Sequence, residues 1–109
     1  MNNITLIGID LAKKYSHIVG QNHTGNVIYR RKVGTSELLS EVEKIGNGLT
    51  IAMEACGSSN HWGRQFQEKG YEVKLLPPQY VKAYRTKQKN DYNDAQATCE
   101  ASKRKDIAH

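Results

Sequence analysis

Two short apolar runs constrain this chain more than anything else in it. Ile4-Thr5-Leu6-Ile7-Gly8-Ile9 and Leu49-Thr50-Ile51-Ala52-Met53 are rich in β-branched residues and too short for ordinary helices. Nearly continuous apolar runs of this kind fit strands buried on both faces of a sheet. Each run stops at an acid, Asp10 after the first and Glu54 after the second. A carboxylate at the edge of a buried strand costs several kcal/mol unless a cation, a hydrogen-bond cage or solvent meets it. A turn or capping role would satisfy Asp10 taken alone; the same placement of Glu54 is what sets the pair apart.

The rest of the chain supplies the partners of those strands. Ser16 to Gly20 and Val27 to Val33 read as two further strands, joined through Asn22-His23-Thr24-Gly25-Asn26, which has turn chemistry. Leu38, Leu39, Val42 and Ile45 recur at helical spacing, with Thr35 as a candidate N-cap and Gly46 as a stop. Ser58 or Ser59 can cap a second helix, in which Trp62 and Phe66 share a face and which Gly70 ends. Val73 to Leu76 is a last strand, cut by Pro77-Pro78. Asp91 to about Lys103 forms a final helix with small residues, Ala95, Cys99 and Ala101 or Ser102, turned inward. The order is β-β-β-α-β-α-β-α, with no internal repeat and no low-complexity linker. Alternation after an initial meander implies parallel strands joined by right-handed crossovers. The expected fold is α/β, a five-stranded mixed sheet with helices on both faces, in one domain of 109 residues.

Charge narrows the class of partner. The chain carries a formal net charge of +5, which favours contact with a polyanion. Lys82, Arg85, Lys87 and Lys89 crowd one segment, and Lys103, Arg104 and Lys105 form a second cluster. Tyr80 and Tyr84 lie among the first group; aromatics there either stack on bases or, more commonly, pack on the sheet beneath. No apolar run is long enough to span a membrane, and no signal peptide opens the chain. Cys56 and Cys99 have no CxxC partner and are expected reduced and buried, in a cytoplasmic protein. His17, His23, His61 and His109 lack ligand spacing with the cysteines.

The basic segment runs into Lys89-Asn90-Asp91-Tyr92-Asn93-Asp94-Ala95. Asn90 is a good N-cap, which places Asp91 and Asp94 in or near a first helical turn, where residues three apart share a face. These acids also complement a helix dipole. If the first and fourth strands are neighbours, Asp10, Glu54, Asp91 and Asp94 all reach one edge of the sheet, the usual ligand position in open α/β sheets. Crowded carboxylates raise one another's pKa unless a divalent cation is present. Oxygen-only ligands suit magnesium or manganese, and two such ions can activate one oxygen and stabilise another in phosphoryl transfer. The neighbouring lysines and arginine, Lys82, Arg85, Lys87 and Lys89, would hold nucleic-acid phosphates.

Gly8-Ile9-Asp10-Leu11-Ala12-Lys13, Met53-Glu54-Ala55-Cys56-Gly57 and the block from Lys89 to Ala95 resemble, in the right order, the three blocks of the DEDD transposases. These are the IS110 family of insertion sequences and the related pilin-gene invertases. The resemblance covers nearly the whole chain and includes the segment from Pro77 to Tyr84. It implies a ribonuclease H-like, RuvC-like fold. It makes Asp10, Glu54, Asp91 and Asp94 the four metal-binding, catalytic acids, with Mg2+ or Mn2+, two ions, as cofactor. It also implies DNA strand exchange, in some members guided by an RNA from the same element, by a homo-oligomer in a prokaryotic cytoplasm. Cys56 stands where the family often has threonine and Asn90 where it often has threonine or serine; neither change removes a carboxylate. Family members carry a C-terminal domain with a nucleophilic serine, which this chain lacks. The expectation is therefore an N-terminal domain of a longer recombinase, inactive by itself. A Holliday-junction resolvase of the same fold and a non-catalytic basic nucleic-acid-binding module are the competing readings. An actin-like ATPase ranks below both, because Lys13-Lys14-Tyr15 offers no phosphate-binding glycine after Asp10.

Overall fold

The computed structural model describes residues 3–85 and 90–104. One sheet contains β1 (Ile4–Asp10), β2 (Tyr15–Asn22), β3 (Val27–Gly34), β4 (Thr50–Glu54) and β5 (Glu72–Leu76). Its strand order is β3-β2-β1-β4-β5. The first three strands pair antiparallel, as the short turn after Asn22 requires, while β1–β4 and β4–β5 are parallel. Between β3 and β4 runs α1 (Leu38–Ile45), and between β4 and β5 runs α2 (Ser59–Glu68). The chain then forms a short α3 (Pro78–Lys82) and a final α4 (Asn93–Ser102). The expected mixed sheet is present, and its first and fourth strands are neighbours.

Side chains alternate between the faces of a strand, and here both faces are covered. Ile7, Ile9, Ile51 and Met53 point toward α1 and α2, where they pack with Leu38, Val42, Ile45 and Phe66, each at most 1% exposed. On the opposite face, Leu6, Val19 and Ala52 meet α3 and α4 through Val81, Ala95, Ala97, Cys99 and Ala101. The small residues of α4 bring its backbone close to β1. A Cβ built at Gly8 would lie 2.6 Å from Cys99 Sγ and nearer still to the Ala95 carbonyl oxygen. Of the two cysteines expected to be buried only Cys99 is: burial holds its thiol up at about 12, so it acts as a small apolar side chain, whereas Cys56 is exposed because it lies in the loop after β4 and not on a covered element.

Local details differ from the sequence reading in three places. The Pro77-Pro78 pair ends β5 but also begins α3, because Pro78 sits in the first helical turn, where a missing N–H is no loss. Tyr80 and Tyr84, half-buried on that segment, pack against the cluster of Leu76 and Val81, as the commoner of their two expected roles has it. Helix α4 starts at Asn93, three residues after the expected cap. Asn90 Oδ1 accepts from Tyr92 N at 2.9 Å, so the asparagine closes a turn ahead of the helix. Third, the expected serine and threonine caps are used elsewhere. Thr35 opens a 3-10 turn (Thr35–Glu37), and its buried hydroxyl donates to the Ala12 carbonyl at 2.7 Å. Ser59 Oγ accepts from Cys56 N and donates to Cys56 O, and Ser58 makes no side-chain cap.

Candidate metal centre

Strand period and register together place the acids. Gly8 and Asp10 on β1, like Ala52 and Glu54 on β4, point toward α4. The parallel pairing ends at Gly8 with Ala52 and Ile9 with Met53, so Asp10 and Glu54 follow side by side at the carboxyl ends of adjacent strands. Ala95 of α4 packs over Gly8, which brings the preceding Asp94 above the same strand ends. The chain after Asp10 is tied down. Ala12 N donates to Ser16 Oγ at 3.2 Å, Ser16 Oγ donates to Thr35 Oγ1 at 2.7 Å, and Thr35 Oγ1 donates back to Ala12 O.

Ile9, Asp10, Leu11, Glu54, Cys56, Arg85 and Thr98 line a cleft of about 190 Å³. The Arg85 guanidinium bridges two acids, with Nη2 2.7 Å from Glu54 Oε2 and Nε 2.7 Å from Asp94 Oδ1. Thr98, one turn further along α4, donates to the Asp94 carbonyl at 2.9 Å. Burial pushes the Asp10 carboxyl above its ordinary value. Asp94 and then Glu54 push it further, while His17 and Arg85 oppose the rise. Among the described residues, no three acidic, histidine or cysteine side chains already surround one point closely enough to hold an ion.

The sequence-predicted acids thus divide. Asp10, Glu54 and Asp94 come together. Asp91 is exposed in the turn before α4, so it does not share a helical face with Asp94. Among the basic residues, Lys82 is exposed at the end of α3, and Arg85 lies between the acids rather than facing outward. Lys87 and Lys89 fall outside the described residues. Sequence reasoning missed His17, the cross-strand partner of Asp10, whose ring stands edge-on to Tyr92 at 5.3 Å. The only signal for it was its place in the second strand, level with the acid once the turn length is known.

A raised Asp10 pKa has a consequence for stability. The folded state holds this proton more tightly than the unfolded state, whose reference value is 3.8. Stability from this group is therefore complete below that value and is lost as pH rises through the folded one. Asp10→Asn should then match the parent in acid and melt at a higher temperature at neutral pH without divalent metal. Thermal melts across that pH range check it; a variant that is less stable at neutral pH would count against the cost of burying the Asp10 charge beside Asp94 and Glu54.

Residues 7–108 match the DEDD transposase family typified by IS110, described as transposase. The chain is 42% identical over 104 residues to the transposase for insertion sequence element IS1111A of Coxiella burnetii, covering 95% of this chain and 28% of that protein. It is 38% identical over 104 residues to the transposase for insertion sequence element IS1328 of Yersinia enterocolitica, covering 95% of this chain and 31% of that one. The chain therefore spans less than a third of the length of these relatives. Among the described residues, no helix is long and apolar enough to cross a membrane. With its five-stranded mixed sheet flanked by helices, the chain has a ribonuclease H-like fold and belongs to the DEDD transposase family of insertion sequences.

Proposed function

We propose that this chain is the RuvC-like, metal-binding domain of an insertion-sequence transposase, with Asp10, Glu54 and Asp94 holding the divalent ion or ions and Asp91 joining them from its turn. The observation that carries the reading is the meeting of three carboxylates at the ends of β1, β4 and the start of α4, with a cation, Arg85, already drawn between two of them. The donor set fits magnesium or manganese: all candidate ligands are carboxylate oxygens, and Asp10, raised by burial and then by Asp94 and Glu54, is a carboxylate whose charged form a bound cation would stabilise. When bound, such an ion lowers the charge on a scissile phosphate and activates the attacking oxygen.

The chain's own residues have separate tasks in this reading. Asp10 and Glu54, set on adjacent strands, give a rigid pair of ligands, since sites built on strands are held more precisely than sites on loops. Asp94 rides on α4 and closes the site from above. Lys82, Lys87 and Lys89, with Arg85 once it leaves the acids, steer the DNA backbone toward the carboxylates. Strand cleavage and exchange belong to the whole transposase, in which this segment would act with a separate serine-bearing domain, as a homo-oligomer and with or without a guide RNA.

The test is a thermal melt of the chain with and without manganese, repeated on Asp10→Asn. An ion that binds only the folded state at about a hundred times its Kd adds about 2.7 kcal/mol of stability. The parent is expected to shift upward by several degrees and the variant not to shift. An equal shift in both proteins, or none in either, would remove the metal role from Asp10.

A further inference from the structure

The face of the sheet that carries the acids continues past them onto a surface that α4 does not cover. Asp10 is paired with His17, and His17 with Lys32. Cross-strand partners share a face, with neighbouring strands about 4.8 Å apart. The row Asp10–His17–Lys32 thus runs from the carboxylates to the outer strand β3 in about 10 Å. Its outer end is basic and aromatic. Tyr15 is 46% exposed. Lys14 Nζ lies 5.7 Å and Lys32 Nζ 4.8 Å from the centre of its ring. Gly34 is the cross-strand partner of Tyr15, and a Cβ built there would meet nothing within 4 Å, so the space beside the ring is open. Arg30, two residues from Lys32 on the same strand face, and Lys13 are also exposed. No acid lies between Lys13 and His17 or between Val27 and Gly34. Glu41 meets Arg31 on the opposite face.

A row of lysines is most often only a solvated face. Two features set this one apart. The loop bearing Lys13 and Lys14 is fixed through Ala12 to Ser16 and Thr35, and the exposed ring is flanked by two ammonium groups. Phosphate-binding cations gathered at a solvent-exposed aromatic ring are the chemistry that holds single-stranded nucleic acid: the flexible lysines, now over the ring, turn to the phosphates and leave the ring to a base. We propose that Lys14, Tyr15, Arg30 and Lys32 form a track for a single DNA strand continuous with the strand at the carboxylates. The base of a nucleotide flanking the reacting phosphate stacks on Tyr15. The proposal rests on the transposase reading above for the identity of the strand.

The test is fluorescence anisotropy of a short labelled oligothymidylate titrated with the chain in chelator, over a series of salt concentrations. Thermal melts confirm that each variant is folded. Lys14→Gln with Lys32→Gln should weaken binding and reduce the salt slope by about 1.4, from about 0.7 per phosphate contact. Tyr15→Ser should weaken binding about thirtyfold, the middle of the range for one stacked base, with the salt slope unchanged. Tyr15→Phe should bind like the parent. Lys44→Gln with Lys69→Gln, on the far side of the sheet, should leave binding nearly intact.

Equal losses in the two lysine pairs, no effect of Tyr15→Ser, or no binding by the parent would overturn the track. A clear preference for oligouridylate of the same length would overturn the assignment to DNA. The manganese response of Asp10 is read separately, without DNA. Its failure beside a Tyr15-dependent affinity would sink the metal site and leave the track standing; the reverse result would do the opposite.

Discussion

Gly8→Val is expected to lower stability by about 3 kcal/mol, at the upper end of what forced overpacking costs, and to abolish the manganese response. The cause is local and unavoidable. Gly8 lies mid-strand in β1, flanked on both sides by paired strands, so its backbone cannot move outward. Above it, the Ala95 carbonyl belongs to α4 and Cys99 Sγ is fully buried. A Cβ at this position overlaps backbone as well as side chain, and backbone does not swing aside. Either α4 lifts from the sheet or the sheet fails to form around it. Lifting α4 exposes the apolar surface of Ala95, Cys99 and Ala101 and carries Asp94 away from Asp10 and Glu54. Denaturant melts give the stability change, and melts with manganese give the response. Gly8→Ala should show the same effects in milder form. A Gly8→Val protein that melts like the parent and still responds to manganese would mean that α4 does not need this close contact to set the site.

Much of this arrangement is legible in the sequence, for identifiable reasons. A strand buried on both faces leaves a run of apolar residues, so an acid that interrupts it stands out; that is how Asp10 and Glu54 declare themselves. The small residues of α4 likewise signal a helix lying close on a sheet. Asp94 follows from its place at the start of that helix. Features that depend on distant segments are not legible in the same way. His17 reaches the site only through the register of β1 with β2. Arg85 reads as one of several cations in a basic segment, and only the return of the chain through α3 brings it between Glu54 and Asp94. The start of α4 is misplaced because an asparagine can satisfy a turn as readily as a helix end; Asn90 does the former. Helix α3 is hidden because a proline pair marks a break equally well when a new helix begins there.

Arg85→Ala is expected to lower stability by about 1 kcal/mol without metal and to tighten manganese binding about fivefold. Arg85 and its partners Glu54 and Asp94 are 34%, 30% and 45% exposed, so water screens both pairs. Each is then worth less than about 1 kcal/mol rather than the larger value of a buried bridge. Removing the guanidinium also leaves Glu54, Asp94 and Asp10 facing one another with less positive charge between them, which adds to the loss. The sign reverses once manganese is present. In the parent, an ion must displace Arg85 from two carboxylate oxygens before those oxygens can turn to it, and the variant has no such competitor. A competing interaction of about 1 kcal/mol corresponds to a factor of about five in affinity, since 1.4 kcal/mol is tenfold. Arg85→Lys should fall between parent and variant, because an ammonium keeps the charge but cannot reach two acids with a planar fork. Manganese titrations followed by melting temperature separate the possibilities. If Arg85→Ala binds manganese more weakly than the parent, then the guanidinium holds the carboxylates in place for the ion instead of occupying its position, and the competition argued here is wrong.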